Sequence, residues 1–146
     1  MRLVSNLRVS TFDKYNPFTI KGNAPAYLSD LMFDSLLTGS LDETGSGYGL
    51  LASDVEVASD GKSALFKIRP QARFHNSHPV LAAAVKPSYD ALMGPFTSPA
   101  YKHLLENVAG LELVAECTVL YRFQNPTLHT QLTSYPAPHF TRLRVL

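Results

Sequence analysis

Few residues of this 146-residue chain have the type and spacing that catalysis or metal binding requires. His75 and His78 could present two nitrogens to zinc, but a site needs at least a third ligand, and no acid follows within ten residues. The adjacent acids Asp42 and Glu43 could serve acid–base catalysis, but their glycine-rich surroundings favour a solvated loop. Cys117 is the single cysteine and is expected to be a small buried apolar residue. The sequence therefore predicts no metal, no cofactor and no enzymatic activity.

One short loop is the best candidate for ligand binding. Tyr15, Asn16, Pro17 and Phe18 follow a strand predicted over residues 3–10, and ligand loops in open α/β sheets follow strand ends. Asn16 could hydrogen-bond to a ligand, and the two aromatic rings could offer apolar contact. The alternative is that Pro17 and Phe18 only pack the loop onto the fold.

Composition excludes several classes of protein. The chain has 13 Lys and Arg residues and 12 Asp and Glu residues, so its net charge is +1. This near-neutral charge argues against nucleic-acid binding. No apolar run approaches the roughly 18 residues of a membrane-spanning helix, and no secretory signal follows Met1. Charged residues are 17% of the chain, below the usual value of about 25%, so part of the surface is expected to be covered.

The first half of the chain predicts one helix and one hairpin. Apolar residues at helical spacing indicate an amphipathic helix over Ala24–Leu37, and Gly39–Gly49 is expected to be a flexible connection. Asp60-Gly61 between two β-rich runs predicts a hairpin in which both turn residues adopt positive φ. Arg69 and Arg73 could face an anionic partner, although a solvated hairpin face is favoured.

The second half predicts another hairpin and two or three short helices. A helix over Val80–Met93 is expected to be short, kinked or frayed, because Pro87 lies inside it and Leu81 stands at the capping position. Further elements are one or two helical turns over Ala100–Glu106, a hairpin from Leu111–Ala115 to Thr118–Phe123, and a short helix near residues 128–132. These elements indicate an α/β or α+β fold.

The order and spacing of several segments resemble the family 5 extracytoplasmic solute-binding proteins, the oligopeptide-binding components of ABC importers. The most similar branch is the microcin C and oligopeptide type. The matching segments are Thr11–Gly22, Asp34–Leu37, Asp42-Glu43, Tyr48–Ala52 and Phe66–His75, with a weaker match over Thr118–Phe123.

This resemblance implies part of a type II periplasmic-binding-protein lobe. Proteins of this family have two α/β lobes that close on an extended peptide and deliver it to a membrane permease. Residues 1–45 would begin ligand-binding lobe I, with the Tyr15–Phe18 loop at the cleft, and residues 46–146 would be a small extra subdomain. The implied partners are an oligopeptide and an ABC permease, and the implied location is the periplasm. The chain as it stands, without a signal, is expected to stay in the cytoplasm.

Two departures from the family pattern predict weakened stability. Asn76-Ser77 stands where the family has Asp-Gly, which adds strain if positive φ is still required. Leu81–Val85 replaces a Thr-initiated helix start, a loss of about 0.5–2 kcal/mol. We therefore expect a truncated or degenerate fragment that binds no peptide alone. The alternative is a small structural or interaction module that self-associates through exposed apolar surface.

Overall fold

The computed structural model describes residues 13–14, 16, 18–24, 33–40, 42–43 and 46–127. The strand predicted over residues 3–10 and the helix predicted near residues 128–132 lie outside them. Within the described part of the chain, no helix has the length and apolar character needed to cross a membrane. The elements are β1 Leu37–Gly39, β2 Gly47–Gly49, β3 Ala52–Val57, β4 Ser63–Ile68, α1 Ala82–Met93, α2 Pro99–Leu104, β5 Val108–Ala115 and β6 Thr118–Phe123.

Four antiparallel strands in the order β3-β4-β6-β5 form the main sheet. Both predicted hairpins are present as its two halves, β3–β4 and β5–β6. Alternation along β4 buries Ala64, Phe66 and Ile68 on one face, as the period-2 pattern predicts. The predicted mixed α/β fold is therefore confirmed.

The two hairpin turns differ from each other in their backbone geometry. In the first, Gly61 has φ +67° and Asp60 has no positive φ, so the expectation that both residues are left-handed is wrong. Ala58 accepts the Gly61 N–H at 2.9 Å and the Asp60 carboxylate accepts the Lys62 N–H at 2.9 Å, so the side chain completes this turn. The second turn, at Glu116-Cys117, has no positive φ, and a register shift in β5 beside it accommodates the connection.

Helix α1 continues for 12 residues through Pro87, so the expected shortness is wrong, whereas the expected kink or fraying stays a prediction. Pro87 has no N–H to donate to the Ala83 carbonyl, but both residues are exposed and water can take the donor's place. Leu81 precedes the helix and makes no side-chain cap, as the sequence predicts. One face of the helix covers the sheet, where the rings of Tyr89 and Tyr121 lie 6.5 Å apart. Gly94 ends α1, and α2 supplies the predicted further helical turns.

The region before the main sheet differs from the sequence prediction in two places. The helix predicted over Ala24–Leu37 is wrong at its end, because residues 33–36 are not helical and Leu37 begins β1. The Leu36 carbonyl instead accepts the N–H groups of Leu50 and Ala52, both at 3.0 Å. The predicted flexible connection contains strand β2, which pairs with β1 because the backbone groups of this glycine-rich segment find partners there.

One apolar core joins the two sides of the predicted domain boundary. Phe18, Leu36 and Leu37 belong to the same buried cluster as the inner residues of the sheet and of α1. The division into residues 1–45 and 46–146 stays a prediction.

Candidate ligand-binding site

The loop that contains the predicted ligand residues docks on the segment between α1 and α2. Thr19 forms an isolated antiparallel bridge with Thr97. The Ser98 N–H donates to the Phe18 carbonyl at 2.9 Å. These bonds hold the loop beside the carboxyl-terminal end of α1. Tyr15 and Pro17 lie outside the described residues, so their predicted role stays a prediction.

Phe18 packs the loop onto the core. Its side chain is buried, and its ring makes edge contacts with Phe33 at 5.4 Å and Tyr101 at 5.0 Å between ring centroids. Each such aromatic pair contributes about 0.5–1.5 kcal/mol beyond the burial of its area. These contacts support the alternative that Phe18 packs the loop onto the fold, although the residue also lines a cavity.

Asn16 is exposed and organises the loop through its side-chain oxygen. Its Oδ1 accepts the Phe18 N–H at 2.9 Å, and its backbone carbonyl accepts the Thr19 hydroxyl at 3.3 Å. This Asx-turn fixes the orientation of the side-chain amide. The Asn16 Nδ2 group makes no hydrogen bond to any residue that the structure describes.

A cavity of about 740 Å3 lies between this loop and the carboxyl-terminal half of α1. Ligand sites in proteins typically measure about 300–1,000 Å3 and are mostly apolar with a few polar groups. Its described walls are Asn16, Phe18 and Thr19 of the loop, Phe33, and residues of α1 and the following turn up to Thr97. The sequence had named Asn16 and Phe18 as candidates but neither Phe33 nor Phe96. Phe33 lay inside the predicted helix over Ala24–Leu37, and the only signal for Phe96 was an aromatic residue just after the predicted helix over Val80–Met93.

The polar groups of the cavity walls are largely satisfied within the fold. Thr97 donates its hydroxyl to the Ala91 carbonyl at 2.8 Å, and Ser88 donates its hydroxyl to the Ala84 carbonyl at 3.2 Å. None of the described residues that line the cavity is charged. Among the described side chains, the walls therefore present apolar surface and one available donor, the Asn16 amide.

The predicted histidine pair lies on an exposed turn. His75 and His78 flank Ser77, and no group of three His, Cys, Asp or Glu suited to a metal occurs among the described residues. Ser77 has φ +67°, so the turn requires the left-handed conformation that glycine adopts readily.

Cys117 is half-buried and packs against the apolar core, which agrees in part with its predicted burial. The acidic pair forms hydrogen bonds with nearby hydroxyl groups. Asp42 accepts a hydrogen bond from the Ser40 hydroxyl, which holds the pKa of the Asp42 carboxyl below its usual value. Glu43 accepts a hydrogen bond from the Tyr48 hydroxyl, and this bond raises the pKa of Tyr48. These bonds tie Asp42 to Ser40, which follows β1, and Glu43 to Tyr48 in β2.

Arg69 joins the two sheets. Its guanidinium donates to the Gly49 carbonyl at 2.8 Å and to the Ala52 carbonyl at 3.3 Å. Two donors of the guanidinium are thereby used within the fold, and Arg69 is exposed, as the favoured solvated face predicts.

Comparison with known proteins places the chain among solute-binding proteins. The family model described as bacterial extracellular solute-binding proteins, family 5 middle, matches residues 47–143. The uncharacterized protein y4wM of Sinorhizobium fredii is 33% identical over 85% of the chain and 19% of its own length. A probable peptide-binding protein YejA of Agrobacterium fabrum is 33% identical over 67% of the chain and 17% of its own length.

A solved structure shares the fold. NikA from Brucella suis, crystallised in complex with Fe(III)-EDTA, superimposes with a TM-score of 0.71 at 24% identity. The match covers 87% of this chain and 25% of NikA. The chain thus spans about a fifth of the length of the curated relatives that it matches.

Proposed function

This chain belongs to family 5 of the bacterial extracellular solute-binding proteins, and from that membership we propose that it is part of the peptide-binding component of an ABC importer. The family-model match over residues 47–143 carries the proposal. Because a relative named as a probable peptide-binding protein is 33% identical, we propose an oligopeptide as the ligand. The receiving partner would be an ABC permease, and the site of action the periplasm.

Within that protein, we propose that this chain supplies one wall of the ligand site. Residues 1–45 would open the ligand-binding lobe, and residues 46–146 would form an extra subdomain beside it. Tyr15, Asn16, Pro17 and Phe18 would contact the peptide. The positions of Asn16 and Phe18 in the walls of the cavity support this role. One wall encloses little of a peptide's surface, so the 146-residue chain by itself is expected to show no micromolar affinity.

A chimera tests the proposal. The segment of the Agrobacterium relative that matches this chain is replaced by the chain, and peptide binding is measured by calorimetry for the chimera and for the chain alone. We expect the chimera to bind peptide and the chain alone to show no heat at micromolar concentrations. Micromolar binding by the chain alone, or no binding by a chimera that is folded by circular dichroism, contradicts the proposal.

The matched control for Asn16 is Asn76, since both side chains accept a backbone N–H two residues ahead. Asn16→Ala in the chimera is expected to weaken peptide binding about tenfold, the loss of roughly one hydrogen bond. Asn76→Ala, on the exposed histidine turn, is expected to leave binding unchanged.

A second candidate function is a structural or interaction module. Leu113 and Val114 are 47% and 56% exposed on β5, which is an edge strand of the described sheet. Exposed apolar residues on an open edge favour strand addition by a second copy. Sedimentation at increasing concentration tests this candidate, which a monomer at all concentrations would exclude.

A further inference from the structure

We infer that the cavity beside α1 binds an uncharged, apolar side chain of a peptide, with the Asn16 amide donating to the adjoining peptide carbonyl. This inference rests on the proposed function and adds the chemical class of the ligand. Other members of the fold hold very different ligands, since the NikA structure contains Fe(III)-EDTA. The class of ligand therefore has to come from the walls of the site.

The first support is the absence of charge in the described walls of the cavity. Several charged side chains near them have partners within the fold. Lys86 pairs with Asp90 at 3.1 Å, and the Lys14 ammonium donates to the Thr19 carbonyl at 2.6 Å. A charged ligand group would lose hydration there and meet no charged side chain among the described wall residues, which is costly. An apolar side chain instead gains in proportion to the area removed from water.

The second support is the number of available hydrogen-bonding groups. The hydroxyls of Thr19, Ser88 and Thr97 donate to backbone carbonyls. Among the polar side chains in the described part of the wall, this leaves the Asn16 Nδ2 donor without a protein acceptor. One oriented donor beside an apolar wall matches a peptide carbonyl adjoining an apolar side chain.

The third support is the size and opening of the cavity. A volume of about 740 Å3 accommodates a side chain together with flanking backbone. Phe96 lines the cavity and is 78% exposed, which leaves an aromatic face available to a ligand. Aromatic side chains contribute much of the energy when they become buried at an interface.

The test is a titration of the full 146-residue chain followed by NMR, with N-acetyl-L-phenylalanine amide as the probe. N-acetyl-L-lysine amide and N-acetyl-L-glutamate amide are the charged counter-probes. Ligands of this size reach dissociation constants of about 1 mM, weaker than micromolar calorimetry detects. We expect the backbone amides of Thr19, Ala91 and Thr97 to shift and saturate with the apolar probe. The charged probes are expected to leave them unchanged at equal concentration.

A matched pair of variants on one helix locates the site. Ala91 lines the cavity and Ala83 does not, and both are exposed on α1. Ala91→Asp is expected to weaken binding of the apolar probe about tenfold, since a carboxylate in the wall opposes apolar burial. Ala83→Asp is expected to leave it unchanged.

Three results overturn the inference: no shift at these amides, equal shifts with a charged probe, or the same shifts on concentrating the chain without a probe. The last result would make a second copy the occupant. These readouts use the chain alone, so they are independent of whether the chimera binds peptide.

Discussion

Replacement of Ser77 by glycine is predicted to stabilise the protein. Ser77 is the third residue of a three-residue loop, in which the Ser77 N–H donates to the Phe74 carbonyl at 2.8 Å. The Phe74 N–H in turn donates to the His78 carbonyl at 2.8 Å. Loops of this kind place their last residue in the left-handed region, and Ser77 accordingly has φ +67°. Glycine is the residue that adopts this conformation without steric cost.

The magnitude follows from two opposing effects. A side chain in the left-handed region costs about 1–2 kcal/mol, which Ser77→Gly removes. Glycine also raises the entropy of the unfolded chain, which costs about 0.4–1 kcal/mol. Ser77 is exposed, so little packing is lost. The free energy of unfolding should therefore rise by about 0.5–1 kcal/mol, and the melting temperature of a domain of this size by about 1–4 °C.

Urea and thermal unfolding followed by circular dichroism measure the change. The control is Ser59→Gly, at an exposed turn position whose φ is not positive. The free energy of unfolding of this control is expected to fall by about 0.4–1 kcal/mol, because glycine adds the entropic cost there without relieving strain. If Ser77→Gly is neutral or destabilising while Ser59→Gly behaves as expected, the strain argument is refuted. A cooperative melt of the unmodified chain at the temperature of an intact relative would likewise contradict the expectation of a degenerate fold.

Two further predictions concern the helix and the aromatic core. Pro87→Ala restores an N–H donor for the Ala83 carbonyl, so the free energy of unfolding should rise by about 1–3 kcal/mol. Urea titrations measure this change. An unchanged free energy of unfolding would mean that water fully replaces the missing hydrogen bond. Burial raises the pKa of the Tyr121 hydroxyl well above its ordinary value. The stability that Tyr121 contributes is therefore present below about pH 10 and lost as pH rises further, because the unfolded chain ionises first. Tyr121→Phe should flatten the fall in stability above pH 10, and an equally steep fall in the variant would show that other groups cause it.

The hairpins were predictable because their signals are local. The alternation that buries Phe66 and Ile68, and the Asp60-Gly61 pair between two β-rich runs, require no knowledge of distant residues. The strain at Ser77 was predictable for the same reason, since loss of the turn glycine matters wherever the backbone keeps its positive φ. The resemblance to solute-binding proteins likewise lies in the order of short segments, and the family match over residues 47–143 confirms it.

The errors occur where distant groups decide the local structure. Residues 33–37 have a helical pattern, but the Leu36 carbonyl finds two donors across the chain, at Leu50 and Ala52. Pro87 lies within a 12-residue helix at an exposed position, where water can reach the Ala83 carbonyl that lacks its donor.

The sequence by itself determined the family and the hairpins, because each depends on residue type and near spacing. Only the tertiary structure decided the candidate site. It brings Asn16 and Phe18 against Phe96 and Thr97, about eighty residues away, through one bridge and a shared aromatic core. A cavity is the space left between packed elements, so its described walls and the place of the Asn16 donor in them depend on how those elements meet rather than on any one segment.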